Sequence, residues 1–429
     1  MKPLQIFFIL CTTFLFISCE DILDSLSDPG NNPVYVVNTI GDTPDINPTD
    51  SVCEDANGNC SFRAAIQQVN THQKWTHTIQ LGTGIHILDS PLVINGGLTV
   101  NIEGTGMNNT VIEANGAITK SPTLRIKTED RVSVINIKKL SIIGGNADFG
   151  GNGAPQPSGG GLLMSGEKLL VNMEKVTIRN NRALVNGGGI ANLNGRLNLK
   201  HCNIQDNNCI NRKGGGIYNQ GRLTIEGSAI VKNSTGRAGE ISARSVKVAG
   251  ISNSPEGVGI ITNSTISDNF DISFRGEFTN GINIYNSNHL LLKSSTIVRN
   301  TEYAGFARIQ TNGDSLKIMN TVVVGNYFEG DNFYTLGGNF IDRLYSDVLL
   351  KGNSSWMDQV GTESTLEAKL SDLTFENNTW FHLPFSDSPL IDKGTGIVPG
   401  INHPDACLDI DQRGLPRTGV SDIGAIEKQ

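Results

Sequence analysis

"GGGIYNQGRLTIEGSAIVKN", Gly214 to Asn233, decides the reading of this chain because it recurs. "GGGIANLNGRLNLKHCNIQDN" runs from Gly187 to Asn207, and a looser copy, "GGGLLMSGEKLLVNMEKVTIRN", from Gly159 to Asn180. The copies start about 27 residues apart, a spacing typical of stacked repeat units. In the best copy Gly214 to Gly216 permit a sharp backbone turn. Leu223 and Ile225 alternate with Thr224, and Gly227-Ser228 makes a corner. Ile230 returns to the inner face, Lys232 points out, and Asn233-Ser234 turns again. That pattern predicts three short strands separated by turns.

The unit is too short for an antiparallel propeller blade and lacks the pattern of helical repeats. It predicts an all-β fold: a single right-handed parallel β-helix with three short strands per rung, over residues 91–385. Roughly ten rungs at about 4.8 Å spacing would make a rod on the order of 50 Å long. The hand follows from the chirality of parallel crossovers. Inward Ile, Val and Leu would stack, and corner asparagines would form a hydrogen-bonded ladder. Asn180, Asn207, Asn233, Asn269, Asn300 and Asn326 are the expected members, in a structural role. Inserted loops are expected at about 144–158, 234–259 and 327–355.

A rod of this kind exposes strand edges at both ends, and these need covers. In "CSFRAAIQQVN", Phe62, Ala65, Ile66 and Val69 form one apolar stripe, predicting a short capping helix started by Ser61 or Asn59 within a cap at 34–90. Residues 386–429 lack repeat character and are expected to close the other end. Arg413 and Arg417 would tie it to Asp409, Asp411, Asp422 or Glu427.

The 429 residues include 49 glycines, only 6% are aromatic, and the formal net charge is −8. The absence of a basic stripe argues against nucleic acid and anionic lipid headgroups as partners. At the N-terminus, Lys2, an apolar run from Ile6 to Ile17 and then Ser18-Cys19 resemble a bacterial lipoprotein signal. The resemblance implies a signal peptide at 1–18, lipid on Cys19, a linker at 19–33 and an extracytoplasmic, outer-membrane location. Glu20, Asp21 and Asp24 resemble the tag that exports some Bacteroidota lipoproteins to the cell surface. Such a compartment permits disulfides. Cys53 and Cys60 bracket the turn-forming "EDANGN" and are expected to pair. Cys202 and Cys209 could be bridged or be small core residues, and Cys407 is left over.

Family resemblances lie along most of the mature chain. "DTPDINPTDSVCEDANGNCSFRAAIQQVN" resembles the N-terminal module named for Cys-Ser-Leu-Arg-Glu-Ala, with Phe62 and Ala64 replacing its Leu and Glu. The repeats resemble those of polymorphic outer-membrane proteins. "DIDQRGLPRTGVSDIGAIE" resembles the closing segment of choice-of-anchor surface proteins. Together they imply an extracytoplasmic β-helix and little about activity.

Polysaccharide lyases and glycoside hydrolases of the pectate-lyase-like class share this fold, and their signatures are absent here. No Asp-Asp pair occurs, and "RGLPR" has the wrong spacing for the lyase arginine motif. No catalytic, cofactor-binding or metal-ligating residue is assigned. Asp42, Asp45, Asp50 and Asp55 with Asn47 and Asn57 could hold structural Ca²⁺, against the alternative of a solvated acidic loop. Tyr303, Phe306, Tyr327, Phe328, Phe333 and Tyr334 could stack on sugars or fill the core. The expected function is a noncatalytic cell-surface rod, held to the outer membrane by lipid, that binds a glycan or a partner surface. A lyase or hydrolase is the alternative.

Overall fold

The computed structural model describes residues 32–97, 99–148, 158–211, 213–236, 247–272, 282–298, 307–344, 349–352, 358–361, 366–397, 399–401, 403 and 406–429. The strands pair in parallel from rung to rung, forming sheets of 21, 9 and 5 strands, which together make a parallel β-helix. A rung near the middle uses Ile190–Asn192, Arg196–Lys200, Asn203–Gln205 and the two-residue Asn208–Cys209, the last being a fourth short strand beside the three expected. The 21-stranded sheet supplies two lateral faces, because each rung bends between its second and third strands.

That bend falls on residues with positive φ: Lys139, Lys175, His201, Gly227, Asn263, Ser294 and Asn320 in successive rungs. A second corner does the same at Gly144, Asn180, Asp206, Lys232, Asp268 and Gly325. The Gly-Gly-Gly triplets answer to two demands at once. Gly187 and Gly214 have φ of +65° and +78°. A side chain on Gly188 or Gly215 would strike backbone oxygen of the next rung. Only glycine meets both needs.

Inside, the same side chain repeats down the coil. Ile112, Ile142, Ile178, Ile204, Ile230, Ile266 and Ile297 are all fully buried, as are Leu124, Leu162, Ile190, Ile217, Ile251, Ile284 and Ile309. Burying each is worth roughly 1.5–3 kcal/mol. Parallel pairing begins earlier than residue 91: Val34–Val37 lies on Thr76–Leu81, and that on Thr99–Glu103. It ends with Gln359–Val360. The expected loops at 234–259 and 327–355 contain coil strands, Val248–Asn253, Val258–Thr262, Asn326–Gly330 and Phe333–Thr335.

The front is capped as the sequence indicates. The helix Phe62–Thr71 starts at Ser61, whose side chain accepts from the Ala64 N–H, and it buries Phe62, Ala65, Ile66 and Val69. Cys53 and Cys60 form a disulfide. Cys202, Cys209 and Cys407 are buried thiols.

The C-terminal part departs from a simple end closure. A hairpin, Thr374–Glu376 with Thr379–Phe381, and the segment after it lie back along the outside of the coil. Trp380 Nε1 donates to Gln205 Oε1 (2.7 Å), Thr265 Oγ1 to Gln412 Oε1 (2.6 Å), and Gln412 Nε2 to the Ser228 carbonyl (3.2 Å). Asn320 Nδ2 reaches the Asp422 carbonyl, and Asn203 Nδ2 the Asn378 carbonyl. The segment is a strap over one lateral face, spanning rungs from 203 to 320. Arg413 pairs with Asp411 (2.7 Å) and Arg417 with Glu427 (3.1 Å) inside it.

Candidate binding face

The strap leaves the other lateral face of the long sheet open. Its strands are Thr76–Leu81, Thr99–Glu103, the first halves of Ser133–Ile143 and Leu169–Arg179, then Arg196–Lys200, Arg222–Glu226, Val258–Thr262, His289–Lys293 and Ser315–Met319. Alternate residues point out, so parallel register lines them up in rows along the rod.

The central row is Thr78, Asn101, Asn136, Asn172, Asn198 and Thr224. Its asparagines are half-buried and bonded side chain to side chain. Asn136 Nδ2 donates to Asn101 Oδ1 (2.8 Å), Asn172 Nδ2 to Asn136 Oδ1 (2.9 Å) and Asn198 Nδ2 to Asn172 Oδ1 (2.8 Å). Each interior link uses one N–H and one lone pair, and a primary amide has a second of each. The row is therefore an oriented array of donors and acceptors held at the rung spacing.

On one side runs Glu103, Lys138, Glu174, Lys200 and Glu226. These charges alternate and pair: Lys138–Glu174 at 3.3 Å, Lys200–Glu226 at 2.8 Å, with Lys139 on Glu103 at 2.7 Å. The bond to Glu226 raises the Lys200 pKa and the bond to Glu103 raises that of Lys139. Exposed pairs of this kind contribute little stability. Their effect here is to cancel the field of that row. On the other side Arg196 and Arg222 are neighbours.

The ladder expected at the corner runs through Asn181, not Asn180. Asn181 Nδ2 donates to Asn207 Oδ1, Asn207 Nδ2 to Asn233 Oδ1 and Asn233 Nδ2 to Asn269 Oδ1, each at 3.0 Å. Asn180 is the exposed corner residue with φ +55°, equivalent to Asp206 one rung later. Asn326 accepts from Asn283 (2.8 Å) and donates to the Val324 carbonyl, while Asn300 and Cys19 lie outside the described residues. Two further ladders went unread. Asn192, Asn219, Asn253 and Asn286 are bonded in series inside the coil. Ser228, Ser264 and Ser295 each accept a backbone N–H from the rung before. Their only sequence signal was the repeat interval itself.

The front acidic residues are engaged within the cap. Asp42 pairs with Arg63 (2.7 Å), Asp45 and Asp50 accept from Gln68, and Asp55 accepts from Thr43, Asn57 and Asn59. Those bonds hold the Asp55 carboxyl below its usual range, led by the Asn59 backbone N–H. Among the described residues no group of three or more His, Cys, Asp or Glu is arranged to hold a metal ion. Of the aromatics, Phe328 and Phe333 are buried and meet edge-to-face at 4.9 Å. Tyr327 and Tyr334 are half-buried, and Tyr303 and Phe306 lie outside the described residues.

Titratable groups with shifted protonation sit in structural positions. Burial lowers the pKa of His77, His86 and His382, and it raises those of Asp342, Asp422 and Glu427. Burial pushes the Cys202 thiol up to about 12, where it is inert. For Tyr285, burial acts upward but is outweighed by the Ser287 hydrogen bond and the nearby Lys213 ammonium, so its pKa falls. Lys213 Nζ stands 3.9 Å from that ring centroid.

No protein-family model matches the chain, and no curated protein matches it. Among solved structures, an alginate lyase from Paenibacillus sp. str. FPU-7 is similar at 12% identity, over 69% of this chain and 92% of that one, with a TM-score of 0.36.

Proposed function

We propose that this chain is a noncatalytic β-helix lipoprotein, anchored through Cys19 at the outer membrane, that binds an extended glycan along its open face. The observation that supports it is the outward asparagine row. Successive amides sit about 4.8 Å apart, close to the length of one sugar ring in an extended chain. Each amide can donate to one hydroxyl and accept from another. Single contacts of this kind are weak, and summing them over rungs gives useful affinity. The paired charges alongside keep the row from repelling either neutral or acidic chains.

The test is a glycan array probed with the full chain in detergent. Replacing Asn136, Asn172 and Asn198 together by Ala should weaken binding tenfold or more with little change in melting temperature. Unchanged binding by the triple variant would remove the reading. Shortening of a bound polysaccharide during the assay would replace it with a lyase or hydrolase. Cys19→Ala should move the protein out of the membrane fraction, and unchanged partitioning would end the anchoring proposal.

A further inference from the structure

The open face changes character at its back end. Its central row continues from Thr224 through Ile260 and Leu291 to Lys317, Tyr334 and Lys351, direct register partners in successive rungs. There the surface sinks into a depression of about 570 Å³ whose lining includes His289, Asp314, Ser315, Lys317 and Tyr334. Lys351 Nζ lies 5.8 Å from the Tyr334 ring centroid and donates to Asn332 Oδ1 (3.1 Å). Lys317 is exposed. Two carboxylates are near. Asp314 faces His289 Nε2 at 3.6 Å, and Asp358 accepts from Thr335 Oγ1 and from Asn339.

We propose that this depression binds the carboxylate or sulfate of an acidic glycan whose chain continues over Leu291, Ile260 and Thr224 onto the asparagine row. The inference rests on the glycan-binding reading and names the class of glycan. Lys317 and Lys351 flank Tyr334 one rung to either side, so their backbones stand about 10 Å apart at the rung spacing, and the Lys351 ammonium leans over the ring. An anionic group at the edge of the Tyr334 ring is attracted by both ammonium groups, while the ring face packs against the apolar side of the sugar. Along the central row the charged side chains are Lys317 and Lys351; the flanking Glu and Lys alternate and cancel, and Arg196 and Arg222 lie off the row on its other side, so an acidic chain seated on the row gains charge attraction chiefly here. The chain as a whole, at formal net charge −8, repels it. The depression therefore fixes which end of the row an acidic residue occupies.

The experiment titrates the full chain in detergent with oligogalacturonate, dextran sulfate and a neutral β-1,4-glucan oligomer. The acidic probes should bind at least tenfold tighter than the neutral one, and the advantage should shrink as salt screens it. A Lys317→Gln, Lys351→Gln double variant should bring the advantage within twofold and leave neutral binding unchanged. A preference between the two acidic probes assigns the acid group. Acidic probes that bind no tighter than the neutral glucan, or an advantage that survives in the double variant, would overturn this inference and leave the glycan reading standing. Absence of binding to any glycan on the array would remove both.

Discussion

On the strapped face Thr265 and Thr296 are 0% and 3% exposed; one bend away, in the rung of Thr265, Ile260 and Val258 on the open face are 45% and 39% exposed. Both sets point outward from the same coil. The difference lies in side-chain size and in what covers them. Outward positions under the strap are Asn203, Ala229, Thr265, Thr296 and Val322, all buried. They are small, so backbone can approach closely. Their polar atoms satisfy the strap, as when Ala425 N donates to Thr296 Oγ1 (3.0 Å) and His382 Nε2 meets Ser267 Oγ (3.0 Å). Ahead of Val258 and Ile260 the open face carries Arg, Lys, Glu and half-buried Asn, and nothing in the described chain overlays it. A face evolved for burial by its own chain is small and locally satisfied. A face left open keeps regular, unspent hydrogen-bonding capacity.

The largest test of that contrast is Arg417, which is fully buried. It holds Glu427 at 3.1 Å, Asn263 Oδ1 at 3.3 Å and the Gly424 carbonyl at 2.8 Å. Arg417→Met would strand the Glu427 carboxylate, and removing one partner of a buried pair costs about 3–5 kcal/mol. We expect the strap to become protease-sensitive while the coil persists. A loss below about 1 kcal/mol in urea unfolding, judged against that range, would mean that the strap is only loosely seated.

A second pair of variants compares the buried and open asparagine ladders directly. Asn207→Ala removes the acceptor for both the Asn181 side chain and its backbone N–H, and the donor to the Ile178 carbonyl. Each group stranded without water costs about 1–3 kcal/mol. Asn172→Ala on the open face leaves its neighbours in reach of solvent, so its stability cost should stay within about 0.5 kcal/mol. Equal melting temperatures for the two variants would erase the distinction between structural and available amides.

Much of this fold was legible because its signals are local and periodic. The inward aliphatic stacks, the Phe62–Ile66–Val69 stripe and the Cys53–Cys60 pair all lie within one repeat or one turn of sequence. The ladder slipped by one residue at Asn180-Asn181, where the first asparagine takes the positive-φ corner and the second the ladder position; at Asn207-Asn208 Asp206 takes that corner and the first asparagine is the ladder member. The serine ladder was hidden because Ser228, Ser264 and Ser295 look like ordinary corner residues. The strap was out of reach for a different reason. Thr265 and Gln412 are 147 residues apart, and Asn203 and Asn378 are 175 apart, with no period linking them. The open row was legible only as a mixed polar face. Its continuity depends on register, which the short strands fix in three dimensions.

The smallest effect concerns pH and the strapped face alone. His382 is buried, its Nδ1 donating to the Ser371 carbonyl (2.9 Å) and its Nε2 accepting from Ser267 Oγ (3.0 Å). Burial lowers its pKa below the usual 6.5, outweighing the Ser371 bond and the nearby Asp372. The folded ring thus stays neutral while the unfolded ring takes up a proton below pH 6.5. Stability from this group is full above that value and is lost as pH falls towards the lowered folded pKa. Stability from this group therefore falls as pH is lowered from 7 to 5.5. Asp422 and Glu427, raised by burial, act with the opposite sign, gaining stability as pH falls from their raised values towards 3.8 and 4.5. Comparing wild type with His382→Gln at both pH values isolates the histidine, since the carboxylates are common to both. Hydrogen exchange at Thr379–Phe381 should accelerate on acidification in wild type, beyond the intrinsic change, and less so in the variant. The asparagine strands of the open face should show no such difference. An identical pH response in both proteins would mean that the strap is not held through His382.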